Sequence, residues 1–227
     1  MKIKKILFTV LLLLVLTGCS ENNSIEQNVD ADITQNESIE NTAVKNENDE
    51  VVENDEVGIS LGTWEGSVYT NDFLNLTYNL PQNWVKYSDE EIAEIMNLGA
   101  EIVTNGNEFL KEVSKLTSVY YIFTQDLETN NNVSVYSEKV VYDFDVEYYL
   151  TQVKNQLESL TDINYVIGEN SSANIDGVEY TTLDVSVAGL PILQKYYVRK
   201  QGKYFVGIIA TSMTGEEGIT EIMECFN

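Results

Sequence analysis

Carboxylates are the plentiful reactive groups in this 227-residue chain, which has 37 Asp and Glu, two Cys and no His. Without imidazole, Ser-His-Asp and Cys-His nucleophile arrangements cannot be built, nor can the usual catalytic zinc sites. Paired carboxylates could cleave a glycosidic bond if held at a defined separation across a cleft, but a sequence this acidic offers so many pairs that spacing singles out none. Asp89, Glu90, Glu91 and Glu94 crowd what reads as a helix start, where negative charge suits the positive end of the macrodipole. Asp143 and Asp145 alternate before a second helix and could offer oxygens to Ca²⁺. Nothing, however, follows the Asp-x-Asp-x-Asp-Gly loop with its downstream Glu. The 13 glycines are dispersed and form neither a GxGxxG nor a Walker pattern. Neither a cofactor nor a resident metal is expected.

The 14 tyrosines are the second chemical resource. Tyr120-Tyr121 and Tyr196-Tyr197 are adjacent on predicted strands, so each pair turns one ring to either face. One ring of each goes to a core; the other lies under a helix if both faces are covered, or lines an open surface. With Trp64 and Trp84, such rings would form a candidate surface for a sugar or peptide, because Tyr and Trp supply contact area at low entropy cost. Core packing explains the same residues, since aromatics are favoured in strands on packing grounds alone.

The formal charge of −24 argues against nucleic acid as a partner, because phosphate binding needs clustered Lys and Arg. Here Arg199 is the only arginine. At the amino terminus, Lys2, Lys4 and Lys5 precede an apolar run from Ile6 to Leu16. That run falls well short of the roughly 20 residues a spanning helix needs and reads as a secretion signal. It ends in Leu16-Thr17-Gly18-Cys19, which resembles the lipobox of bacterial lipoproteins. The resemblance implies cleavage between Gly18 and Cys19 and diacylglyceryl attachment to the Cys19 thiol. The chain would then be held on the extracytoplasmic side of a cell membrane, and two acyl chains suffice for stable anchoring where one is marginal. With Cys19 acylated, Cys225 has no intrachain disulfide partner and reads as a small buried apolar residue on a terminal helix.

Residues 1–18 are thus expected to be a signal peptide and residues 19–60 a linker. Between residues 20 and 60 twelve acidic residues face Lys45 alone, with no aromatic ring. That composition cannot offset the entropy of ordering and predicts a disordered, self-repelling tether.

Residues 61–227 are expected to fold. Strand signals open this part in GTWEGSVYTND. Leu74, Leu76, Tyr78 and Leu80 then alternate as in a half-buried strand ended by Pro81. Ser88 and Glu91 form a capping box before a helix whose apolar face carries Ile92, Ile95, Met96, Gly99, Ile102 and Val103. A strand pair follows in SVYYIFTQ and NNVSVYSEKVV. Asp145 caps a second helix, with Phe144 and Tyr149 in hydrophobic-staple positions and a stripe of Val146, Tyr149, Leu150, Val153, Leu157 and Leu160. Turns at Asp176-Gly177 and Gln201-Gly202 join four strands, and Thr214 with Glu217 suggests a capping box for a last helix. The predicted order is β-β-α-β-β-α-β-β-β-β-α: an α+β domain with an antiparallel sheet and helices buried against it. This order, with Pro81 to Trp84 after an apolar strand, resembles the PsbP/Mog1-like α/β/α sandwich. That resemblance implies binding a partner or assisting assembly, with no shared catalytic set to carry over.

A lipid-anchored binding or accessory protein, non-enzymatic and facing an unnamed protein or small-molecule partner, is therefore the leading expectation. An envelope hydrolase using paired carboxylates and a weak divalent-cation module are the alternatives.

Overall fold

The computed structural model describes residues 59–103, 107, 108, 115, 117–140 and 142–226. Gly18 and Cys19, the signal segment and nearly all of the linker lie outside these residues, as do the side chains of Ile102 and Val103.

Ten strands and three helices are described: β1 (Thr63–Glu65), β2 (Val68–Asn71), β3 (Leu76–Asn79), β4 (Trp84–Lys86), α1 (Asp89–Val103), β5 (Ser118–Asp126), β6 (Asn132–Lys139), α2 (Val146–Ser159), β7 (Tyr165–Ile175), β8 (Val178–Val187), β9 (Leu193–Gln201), β10 (Tyr204–Ser212) and α3 (Glu216–Met223). They form a three-stranded sheet, β1-β2-β3, and a seven-stranded sheet ordered β4-β5-β6-β10-β9-β8-β7. Every pairing among these strands is antiparallel. The antiparallel sheet with helices packed on it is therefore as the residue pattern predicts.

Alternation along the strands gives the large sheet two apolar faces, each with its own core. Under α1 and α2 lie Ile92, Met96, Tyr149, Leu150, Val153 and Leu157, against Phe123, Tyr136, Leu183, Tyr196, Val198, Phe205 and Ile209 of the strands. The opposite face carries Ile122, Val133, Val135, Tyr197, Val206 and Ile208, covered by Tyr69, Leu76 and Tyr78 of the small sheet, by Leu74 of its β2–β3 turn and by Ile219, Ile222 and Phe226. Arg199 ties the small sheet down: its Nη2 donates to the Leu74 carbonyl (2.6 Å) and its Nε to the Tyr180 hydroxyl (3.2 Å).

Four details differ from the sequence reading. GTWEGSVYTND is not one strand but the β1–β2 hairpin, turned at Gly66 with φ 64°, a conformation glycine adopts without steric cost. Trp84 opens a further short strand, β4, paired with β5 through Trp84 and Asp126. The two-residue turn after β9 is Gly202-Lys203, since Gln201 already pairs with Tyr204. The last helix has no capping box: its N-cap is Gly215 at φ 77°, with no side-chain bond. Thr214 instead lies beside Ser212, whose hydroxyl accepts from its backbone N–H at 3.0 Å.

The other helix starts follow the residues closely. Ser88 N–H donates to Glu91 Oε2 (2.8 Å) and Glu91 N–H to Ser88 Oγ (3.3 Å), which is the reciprocal capping box. Asp145 caps α2 by accepting from Tyr148 N–H at 2.8 Å. Phe144 and Tyr149 do not form an isolated staple; both stack on Phe205, at 5.2 and 4.3 Å between ring centroids.

Candidate binding cleft and its buried acid

The capping box and acidic first turn set α1 across the edge of the large sheet, and Ile92, Met96 and Ala100, one turn apart, face inward. Gly99 and Ala100, the small residues in the last half of the helix, are both buried. Beside α1 lies an open cleft of about 380 Å³, lined on the helix side by Asp89, Ile92, Ala93, Met96, Asn97 and Ala100 and on the other by Lys115, Ser118 and Tyr120. Its volume lies at the lower end of small-ligand pockets, roughly 300–1,000 Å³. The apolar part comes from Ile92, Met96, Ala100 and the Tyr120 ring, with Asp89, Asn97, Lys115 and Ser118 as its polar groups. Asp89 is the one carboxylate lining it among the described residues.

Beside this cleft lies an ionisable group that the strand pattern alone does not single out. Glu138 on β6 is only 2% exposed. Tyr149 Oη donates to Glu138 Oε2 at 3.0 Å, and the Tyr136 and Tyr149 hydroxyls are 3.1 Å apart. Tyr149 has one proton and gives it to the carboxyl group, so in this arrangement Tyr136 is the donor to Tyr149. Burial pushes the Glu138 carboxyl up to about 8, against the opposing effect of the Tyr149 bond. At neutral pH it is therefore largely a neutral acid. The Tyr120 hydroxyl is buried with no hydrogen-bond partner; burial raises its pKa well above the ordinary tyrosine range, with Tyr136 and Glu138 adding to the effect.

Gly207 makes this arrangement possible. It pairs directly with Tyr136 across β10 and β6, and a Cβ there would sit 2.2 Å from Tyr136 Cε1. Glycine in a central strand marks such a close approach. Two signals in the sequence point to the site: Glu138 shares strand parity with Tyr136 and Val140, and a lone glycine interrupts the apolar run YFVGIIA.

The six aromatic residues considered as a binding surface are not brought together. Tyr120 lines the cleft on the helix-covered face, and Tyr196 lies buried on that same face, its hydroxyl donating to Gln194 Oε1 at 3.1 Å. Tyr121 and Tyr197 turn to the opposite core, where both are buried and Tyr121 bonds Ser137 Oγ at 2.8 Å. Trp64 and Trp84 pack half-buried against that second core, and Lys86 Nζ stands 4.5 Å from the Trp64 ring centroid. Each tyrosine pair does split between faces as alternation requires, but both faces are covered.

Asp143 and Asp145, the pair considered for Ca²⁺, have structural partners. Asp143 pairs with Lys200, which holds its carboxyl below the usual range, and Asp145 caps α2. Among the described residues no three potential metal-ligating side chains of His, Cys, Asp or Glu type come together. Cys225 is half-buried just beyond α3 rather than within it, and burial pushes its thiol up to about 11.

No protein-family model matches the chain, and no curated protein matches it. Among solved structures, it is similar to the solution structure of cyanobacterial PsbP (CyanoP) from Synechocystis sp. PCC 6803. The identity is 12% and the TM-score 0.45, with 74% of this chain and 98% of that chain covered.

Proposed function

We propose that this chain is a lipid-anchored extracytoplasmic binding protein with a PsbP/Mog1-like domain, acting as an accessory factor rather than an enzyme. The observation that carries the anchoring is the succession of Lys2, Lys4 and Lys5, the apolar run Ile6 to Leu16, and Leu16-Thr17-Gly18-Cys19. A positive n-region, a short apolar stretch and this box occur together at the spacing a lipoprotein signal needs. The acidic segment that follows acts as a tether between membrane and domain. Binding is supported by the cleft beside α1, which lines the apolar body of a ligand with Ile92, Met96 and Tyr120 and offers Asp89 and Asn97 to its polar groups. The hydrolase alternative is less well supported. Glu138, the one described carboxyl with a raised pKa, is shielded by Tyr149, and Asp89 is the one carboxylate among the described residues of the cleft.

Two measurements in intact cells test this reading. A Cys19→Ala chain should incorporate no labelled fatty acid and should leave the membrane fraction; retention of label or of membrane association overturns the anchor. A photocrosslinking amino acid at exposed Asn97, on the cleft, should capture a partner that the same group at exposed Glu65 on β1 of the small sheet does not. Equal capture at both positions would remove the cleft from the proposal.

A further inference from the structure

The two outer strands of the large sheet are unlike. At one end β4 has only three residues, the kind of short edge that resists added strands. At the other, β7 runs for 11 residues and pairs only with β8. Its first part is interrupted where Ile167 pairs with Val185 and Asn170 with Leu183, leaving Gly168 and Glu169 opposite Asp184. Such a bulge protects an edge. Beyond it, Asn170–Ile175 is regular, and it contains no Lys, Arg, Asp, Glu or Pro. That is conspicuous in a chain of net charge −24, because charge and proline are the usual means of keeping an edge strand closed.

The hairpin fixes which backbone groups are free. Ile175 and Val178 flank the two-residue turn Asp176-Gly177, with φ 48° and 79° as a type I′ turn requires. Ile175, Ala173 and Ser171 therefore exchange their hydrogen bonds with β8, while the N–H and C=O groups of Asn174, Ser172 and Asn170 point outward. Among the described residues none of these outward groups has a backbone partner. Ser171, Ser172 and Asn174 are exposed, while Ala173 and Ile175 pack half-buried against the second core and the Asn170 amide donates to Glu147 on α2; the outward backbone edge itself is left uncovered among the described residues. The surroundings are acidic: Glu147 on α2, Glu169 at the bulge, Asp176 in the turn and Glu179 on β8 are all exposed. Lys195, on β9, is held by Asp184 at 3.1 Å.

We propose that the Asn170–Ile175 edge of β7 is a second binding surface, which takes an extended, basic peptide segment of a partner protein as an eighth strand. Main-chain hydrogen bonds at Asn170, Ser172 and Asn174 provide the docking, and the flanking carboxylates select for lysine or arginine side chains. A second copy of this chain is a poorer occupant because two strongly acidic bodies would be brought side by side.

The full-length protein in detergent, titrated with a fluorescent peptide of alternating lysine and valine, tests this directly. Binding should slow amide exchange at Asn170, Ser172 and Asn174, while Ser171 and Ala173, already bonded to β8, should change little. Ser172→Pro removes an outward N–H at an edge position that tolerates proline; it should lower affinity at least about tenfold with the unfolding temperature unchanged. A peptide of alternating glutamate and valine should not bind. The proposal is overturned if protection appears elsewhere, or if the acidic peptide binds equally. It is also overturned if a correctly folded Ser172→Pro chain keeps its affinity, or if the protein alone forms dimers that this substitution dissolves. Should Ser172→Pro fail to fold, the exchange pattern in the unsubstituted protein decides by itself.

Discussion

Glu138 is the described carboxyl whose chemistry its surroundings alter most. Its carboxyl titrates near 8 in the folded chain against an ordinary value of 4.5. A group whose folded pKa is raised contributes stability that is fully present below its unfolded pKa and is lost as pH rises through the folded value. Glu138 thus favours the folded state most below about pH 4.5, progressively less up to about pH 8, and acts as a buried charge above that. Glu138→Gln keeps the shape and an acceptor for Tyr149 without the ionisation. Its melting temperature should fall less than that of the parent between about pH 5 and pH 9, with the variant the more stable protein at the upper end by a few kcal/mol at most. Identical pH profiles for the two chains would show that the carboxyl is not desolvated as the structure has it. The two carboxyls with lowered pKa, Glu91 and Asp143, are exposed and held by Ser88 and Lys200, so both chains of this comparison share them unchanged.

At the scale of elements, the capping of α2 and α3 differs in a way that can be measured. Asp145→Ala removes the acceptor for Tyr148 N–H and should cost about 1 kcal/mol in urea unfolding. Thr214→Ala removes no cap, because Gly215 begins α3 without a side-chain bond, and should cost clearly less. Equal losses would restore the capping box expected from Thr214 and Glu217. Elements with a strong local signal are legible in the sequence: the Ser88–Glu91 box, the apolar stripe of α2 and the Asp176-Gly177 turn all depend on residues close in the chain. What is not legible depends on partners far away. Trp84 to Lys86 becomes a strand only because β5 supplies its hydrogen bonds. Tyr121 is the extra residue of a bulge between the Tyr120–Tyr136 and Ile122–Val135 pairs, so it shares a core with its neighbour Ile122 against simple alternation. The cleft needs Ala100 and Tyr120 to be set side by side, which no spacing reveals.

For the whole molecule, charge is the dominant feature. With 37 acidic and 13 basic residues, the compact state is opposed by self-repulsion. Moderate sodium chloride, up to about 0.5 M, should raise the unfolding temperature by screening that repulsion; a fall with salt would mean that attractive pairs dominate instead. The strand order has a consequence in time as well. β10, the last described strand in chain order, lies in the middle of the large sheet between β6 and β9. Until Ser212 is available, β4-β5-β6 and β9-β8-β7 are two half-sheets with no strand joining them, each with an open inner edge. The final part of the chain must therefore enter between halves made earlier, a step dominated by distant contacts and correspondingly slow. In a chain delivered in order from its amino terminus, the seven-stranded sheet would stay unlocked until Tyr204–Ser212 had followed.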